Sequence, residues 1–356
     1  MSLNVATLAS RLLRRFNKKV APAPRNLNRF RPILEQCEAR EVPALFVVNS
    51  GGDRPDSNLG DGIASTGVML PNGQVEVTLR AAIQEANALN NQLNPQDISF
   101  QVPPNPMVDD GPPPPLPTFT VVLTQPMEDI RVQLSITGYA KDSVIITHAA
   151  GSDFTYFTVA NGAIVPKDIS VSFSNLTIRD AVAPNATNGG AIHNSAILTL
   201  TNVVLRDNKA TSGGAIFNSG SGKLILYTTS FIGNEATQDG GAICGTGAST
   251  LLAYDSEFTS NKAAVKGGAI AFNLTSRAEL IDTDFIGNEG NRGGAIYVSF
   301  AGDSTIVALQ MWGGRVANNI SSNQGGAQGV RTMNRRRCEG LCLHRGYQED
   351  TPCRFH

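Results

Sequence analysis

The sequence predicts an all-β chain, a single-stranded parallel β-helix preceded by one short capping helix. Two phased motifs and the lack of helical periodicity lead there. Gly-Gly-Ala-Ile recurs at 189–192, 213–216, 240–243, 267–270 and 293–296, and a sixth Gly-Gly-Ala follows at 325–327. An apolar residue with Asn three positions later precedes each doublet after the first: Leu205/Asn208, Phe231/Asn234, Phe258/Asn261, Phe285/Asn288 and Val316/Asn319. Between the motifs lie short alternating runs such as 197–200, 223–227 and 279–282, and nothing from Gly189 to Gly326 repeats every 3.6 residues. Steps of 24, 27, 27, 26 and 32 residues suit one coil each. Such a coil cannot bury its own inner face, so stability must come from stacking.

The N-terminal end is the first element. Residues 1–31 carry eight Lys/Arg and no Asp/Glu, so 1–41 read as a basic targeting segment, expected to be disordered, with Arg11, Arg14 and Arg15 interrupting any apolar core. The cap region, 42–130, follows. Its helix is expected at 78–90, where Leu79, Ile83 and Ala86 share a face and Thr78 is placed to cap the N-terminus. Strands are expected at 98–102, 119–124, 132–137 and 144–147. Eight prolines in 103–117 make that stretch an extended surface loop. A helix at the open end of a β-helix would cover the exposed edge of the first coil.

The repeats occupy 131–327. Paired glycines (Gly189/Gly190, Gly213/Gly214, Gly240/Gly241, Gly267/Gly268, Gly293/Gly294, Gly325/Gly326) let the chain turn a tight corner with unusual dihedrals, and the small Ala permits close packing. Asn208, Asn234, Asn261, Asn288 and Asn319 recur at one corner, where their amides can bond the turns of adjacent coils as a ladder. These residues read as structural.

Together the two motifs resemble the repeats of the polymorphic outer membrane proteins of bacterial autotransporters, over 205–327 with an outlying doublet at Gly189. The resemblance implies a right-handed, pectate-lyase-like β-helix passenger exposed at a bacterial cell surface and used in adhesion. The C-terminal membrane barrel of that family has no counterpart in 328–356, a departure from the family's pattern. The cap is similar to the Cys-Ser-Leu-Arg-Glu-Ala-Ile region that precedes β-helices in bacterial extracellular proteins. Thr78, Leu79, Arg80, Ala82, Ile83, Ala86 and Asn87 keep its form, Val77 replaces the Cys and Ala81 the Glu. Residues 34–44 resemble a Leu-Glu-x-Arg-x-x-Pro-Ala leader boundary of large bacterial surface proteins, with one extra residue.

After Ala327 the pattern stops, and 328–356 are rich in Arg, Cys and His. One reading is a zinc set of Cys338, Cys342, Cys353 and His356. The other is a tail that is disordered or translated out of frame.

Composition narrows the function. Residues 32–330 hold 15 basic and 27 acidic residues, a net of −12, which repels phosphate backbones and argues against a nucleic-acid partner. No run of 18 apolar residues occurs, so no membrane-spanning helix is expected. Cys37 and Cys244 are the only cysteines before the tail, too few for a disulfide framework. Asp207, Glu235, Asp239, Asp255, Glu257, Asp282, Asp284 and Glu289 are scattered, although Asp255 with Glu257, or Asp282 with Asp284, could project from one side of a strand as an acid–base pair. His193 follows a Gly-Gly-Ala-Ile, but Phe217, Cys244, Ala271 and Tyr297 fill its slot in later repeats, so it is expected to be an ordinary surface residue. His148 ends a strand with no evident partner. No cofactor, resident metal or catalytic residue is assigned. The expectation is a non-enzymatic, extracellular adhesin with a cell-surface glycan or protein ligand. A polysaccharide lyase or hydrolase on the same scaffold and a structural envelope component are the alternatives.

Overall fold

A computed structural model of the chain describes residues 44–89, 96–102, 117–160, 169–184, 186–273, 276–300, 309–323, 331–332 and 341–345. The expectations for 1–41, for the proline run up to residue 116 and for Gly325 and Gly326 lie outside the described residues. Four sheets of ten, eight, seven and five strands run along the stack, and every strand pairing in them is parallel. The coil made of Ile216–Asn218, Lys223–Tyr227, Ser230–Ile232 and Glu235–Ala236 is representative, giving one strand to each sheet. The chain is a parallel β-helix.

Alternation decides which side chains are buried. In Lys223–Tyr227 the leucines Leu224 and Leu226 point in, while Ile225 and Tyr227 point out. Equivalent positions stack, so the core is built of columns. One runs Val171, Leu198, Leu224, Leu251, Ala278, Leu309. Its neighbour runs Phe173, Leu200, Leu226, Ala253, Leu280, Met311, and all twelve side chains are buried. Leu251 and Ala253 lie above Ala278 and Leu280. A small residue in one coil thus meets a large one in the next, keeping the core filled.

Each coil turns through corners in the left-handed backbone region. After the strand of the ten-stranded sheet the corner residue is Asn175, Asn202, Thr228, Asp255, Asp282 or Gly313, all with positive φ. After the next strand it is Asp180, Asp207, Gly233, Ser260, Gly287 or Asn318. Short polar side chains and Gly dominate both lists because they tolerate this region best.

The cap helix α1 spans Leu79–Leu89 and packs on the first two strands of the ten-stranded sheet, Leu45–Val48 and Gln96–Phe100. Thr78 Oγ1 accepts the Ala81 N–H at 3.0 Å, satisfying one of the free donors of the first turn. Leu79, Ala82, Ile83 and Ala86 close the end of the core. Arg80 is only 1% exposed, yet it is fully paired. Its Nε and Nη2 donate to the two carboxylate oxygens of Asp53 at 2.9 Å each, and further bonds reach the carbonyls of Gln125 and Pro126. Asn87 bonds the backbone of Asp129 and Arg131. The Leu-Arg-x-Ala-Ile signature is therefore a plug with a charged latch.

Several boundaries differ from the sequence expectation. The strand expected at 98–102 is Gln96–Phe100, that at 132–137 is Leu134–Thr137, and that at 279–282 is Arg277–Ile281. Asp282 falls outside because its positive φ ends the strand. Two strands lie in the tail. Arg331–Thr332 pairs with Leu309–Trp312 and Leu341–Arg345 with Ile296–Phe300. In the repeats the seven-stranded sheet receives its strand before the ten-stranded sheet does; here that order is reversed.

Candidate functional site

The two glycines of each described doublet are required for different reasons, which corrects the shared corner-turning role expected of them. Only the first takes the unusual dihedral: Gly189, Gly213, Gly240, Gly267 and Gly293 have positive φ, +67° at Gly240 and +62° at Gly267. Gly190, Gly214, Gly241, Gly268 and Gly294 do not. These second glycines are needed because the next coil leaves no room for a side chain. A Cβ on Gly190 would lie 2.2 Å from the Gly214 carbonyl oxygen, and one on Gly241 would lie 2.0 Å from that of Gly268. At Gly294 the backbone of Ile320, in the strand Ile320–Ser321, also obstructs: its carbonyl oxygen would lie 2.7 Å from a Cβ. Successive coils approach there through backbone alone.

The corner asparagines form a closed hydrogen-bond ladder. Nδ2 donates to Oδ1 of the next coil at 2.9 Å (Asn208 to Asn234), 2.9 Å (Asn234 to Asn261), 3.0 Å (Asn261 to Asn288) and 2.8 Å (Asn288 to Asn319). Each Oδ1 also accepts the backbone N–H of the residue one coil earlier, from Ala181 onto Asn208 to Asn288 onto Asn319. The second Nδ2 proton reaches a carbonyl of the preceding coil, Phe231 in the case of Asn261. Asn208, Asn234, Asn261 and Asn288 are fully buried, and every donor and acceptor of these amides is used. Beside them Phe231, Phe258 and Phe285 stack at 4.7 and 4.8 Å between centroids, within 4° of parallel.

The outer faces carry ladders of another kind. Lys209, Glu235, Lys262 and Glu289 stand in register with alternating charge, and Lys209–Glu235 and Lys262–Glu289 close at 3.0 and 3.1 Å. On the ten-stranded sheet Tyr227 lies over Tyr254, at 5.2 Å and 13° from parallel, and the column continues through Ile281 to Trp312. Neither ladder emerges from the motifs alone; aligning 223–227 with 250–254 by the repeat step would have exposed the tyrosines.

The acidic residues do not form the strand-side pairs that an acid–base role would need. Asp255 and Asp282 sit at left-handed corners, while Glu257 and Asp284 begin the following strands, so neither couple shares one strand. The alignment runs between coils instead, Glu257 over Asp284. Asp284 also accepts the Arg315 backbone N–H at 2.7 Å. Among the described residues no three His, Cys, Asp or Glu side chains are grouped to hold a metal ion. Cys338, Cys353 and His356 lie outside the described residues, and Cys342 falls within the strand Leu341–Arg345.

The histidines are more enclosed than expected. His193 is half-buried, with Nε2 3.0 Å from Ser219 Oγ and its ring against Phe217. Burial lowers its pKa against an opposing pull from Asp129, so its neutral form is favoured. In the same outward column Cys244, Ala271 and Tyr297 are buried, and the Lys266 ammonium lies 5.3 Å from the Tyr297 ring. The slot is a covered face, not open surface. His148 does have partners: Nδ1 lies against the Ser152 carbonyl, and the ring packs on Phe154 and Tyr156.

No curated protein and no solved structure matches the chain. The Chlamydia polymorphic membrane protein repeat matches it twice, at 228–246 and 255–273. These segments run through the stacked Phe231 and Phe258, the laddered Asn234 and Asn261 and the doublets at Gly240 and Gly267. The matched segments are similar to polymorphic-membrane-protein repeats, and they lie within the parallel β-helix.

Proposed function

We propose that this chain is an exported bacterial protein whose β-helix works at the cell surface as an adhesion module. The observation that carries the reading is the register of its outer columns, in which outward positions are stacked coil by coil at about the 4.8 Å strand spacing. Such a face offers many regularly spaced weak contacts, and their sum replaces a deep pocket. The polymorphic-membrane-protein repeats supply the surface context. The ligand is a cell-surface glycan or protein.

The test is binding of the purified chain to intact cells and to immobilised glycans and surface proteins, run beside an assay for oligosaccharide release from pectin and alginate. Saturable binding without release supports the adhesin. Release of oligosaccharide, or no binding to any of these surfaces, overturns it.

A further inference from the structure

The outward column of the seven-stranded sheet is closed over from Cys244 onward. In the two coils before it, His193, Phe217 and Ser219 each keep part of their surface in solvent. Stacking of Ile192–Asn194 on Ile216–Asn218 sets the residue that follows the second strand beside the first. Ser219 Oγ lies 3.0 Å from His193 Nε2. A longer contact runs from Ser219 Oγ to the Asn194 carbonyl at 3.4 Å, and the Ser219 N–H donates to the same oxygen at 2.8 Å. The hydroxyl is thus fixed through its own backbone, with the imidazole as its nearer acceptor. The ring is held in turn, meeting Phe217 edge-on at 5.3 Å and 80°. Burial favours its neutral form, against a pull from Asp129, which is itself paired with Arg131. A neutral imidazole can take a proton.

Ser219 also opens a tight turn. The Gly222 N–H donates to the Ser219 carbonyl at 2.9 Å, and Gly220 takes a φ of +62°. The N–H groups of Gly220 and Ser221, both exposed residues, carry no hydrogen bond to a described residue. A hydroxyl, a base within hydrogen-bond reach and free amides directly after the hydroxyl are the parts that acyl transfer uses. We infer that Ser219 and His193 form a nucleophile–base pair that takes short acyl groups from activated esters. Ser219 Oγ bonds to the ester carbonyl carbon while its proton passes to His193 Nε2. The Gly220 and Ser221 amides are the donors available to the carbonyl oxygen as it becomes negative. Collapse of that intermediate breaks the bond to the leaving oxygen, which receives the proton from His193. Water then attacks the acyl-serine with His193 again as base, releasing the carboxylic acid and restoring the hydroxyl. Phe217 beside the ring offers an apolar rest for a short acyl chain, and the exposed turn admits an ester carried on a larger molecule.

The experiment treats the full chain near neutral pH with a fluorophosphonate, which a nucleophilic serine displaces at phosphorus with loss of fluoride, and locates the adduct by peptide mass spectrometry. Beside it, p-nitrophenyl acetate reports acyl transfer through release of p-nitrophenolate. The expected result is a single adduct on Ser219 and a stoichiometric burst of p-nitrophenolate followed by slower turnover. Ser219→Ala should remove both. His193→Phe is the more telling variant, because Phe217 fills the same slot one coil further on and the fold already accepts that side chain there. It should leave the circular dichroism unchanged and slow the labelling at least about 100-fold. Absence of the Ser219 adduct overturns the inference. So does labelling of His193→Phe as fast as the parent, or adducts spread equally over several exposed serines. Binding to cells and glycans does not use the Ser219 hydroxyl, so Ser219→Ala should bind as the parent does, and the adhesin reading stands or falls separately.

Discussion

Asn234 directs both its backbone N–H and one Nδ2–H to a single atom, Oδ1 of Asn261, at 3.0 and 2.9 Å. Asn261 repeats the arrangement toward Asn288. Removing one amide from the middle therefore takes partners from groups on both flanking coils at once. Asn261→Ala leaves two donors of Asn234 without their acceptor, and the Phe231 carbonyl and Asn288 Oδ1 each lose a donor. Each buried unmade bond costs about 1–3 kcal/mol, so the variant should lose roughly 3 kcal/mol or more in urea unfolding. Asn319→Ala, at the half-buried end of the ladder, should cost distinctly less. Equal losses at the two positions would mean that the ladder does not act as a chain of bonds.

Thr228 is the misfit among the corner residues. Its φ is +50°, where the equivalent coils place Asn202, Asp255 and Asp282. A β-branched side chain is strained in this region, whereas Asn is among the residues that tolerate it. Thr228 is exposed, so no packing of its side chain holds the corner. Thr228→Asn should therefore raise stability by about 1 kcal/mol, read as an upward shift in melting temperature. A neutral or destabilising result would show that the corner relaxes around threonine.

The architecture was legible because stacking makes each coil solve the same packing problem, so that solution recurs in the chain. Gly-Gly and Phe-x-x-Asn mark two places where neighbouring coils meet closely, by backbone at Gly241 and by amide at Asn261. What was not legible depends on register between segments that share no motif. The division of labour within each doublet belongs here too, since two identical letters at Gly293 and Gly294 hide one dihedral need and one steric need. The Arg80–Asp53 pair joins residues 27 apart through a loop with no periodicity. Tyr227 and Tyr254 lie in runs whose outward residues differ from coil to coil, so no repeated letter flags them. The strand-side pairing of acids failed because Asp255 and Asp282 take positive φ, and alternation along a strand stops at such a corner.

The cap loop should be acid-labile through Glu76. Burial alone would push its carboxyl up, but bonds from Ser50, Thr66 and Arg54, with the Arg54 charge, outweigh it and hold the group below the ordinary glutamate range. A carboxyl depressed in the folded state contributes stability that is complete above its unfolded value and is lost as pH falls through the folded one. Protection of the loop amides in hydrogen exchange should therefore drop as the pH falls through and below the usual carboxylate range. Glu76→Gln should start from lower protection at neutral pH and lack that acid step. A parallel decline in both proteins would assign the lability to other carboxylates.

Cys244 carries the opposite sign. Burial raises its thiol to about 12, with Asp239 pushing the same way and Lys266 opposing. The folded protein must keep this proton, while the unfolded chain releases it in the ordinary thiol range near about 8.5. Between those values the native state binds more protons, so stability falls with rising pH, by up to about 1.4 kcal/mol per unit. Cys244→Ala removes this contribution. The urea stability of the parent relative to the variant should therefore decline between about pH 8 and 10. The same burial should protect the sulfur from iodoacetamide: peptide mass spectrometry should find Cys244 labelled only as fast as the coil opens. Stoichiometric labelling of the native chain within minutes, or a stability difference flat with pH, would show that the thiol reaches solvent without unfolding.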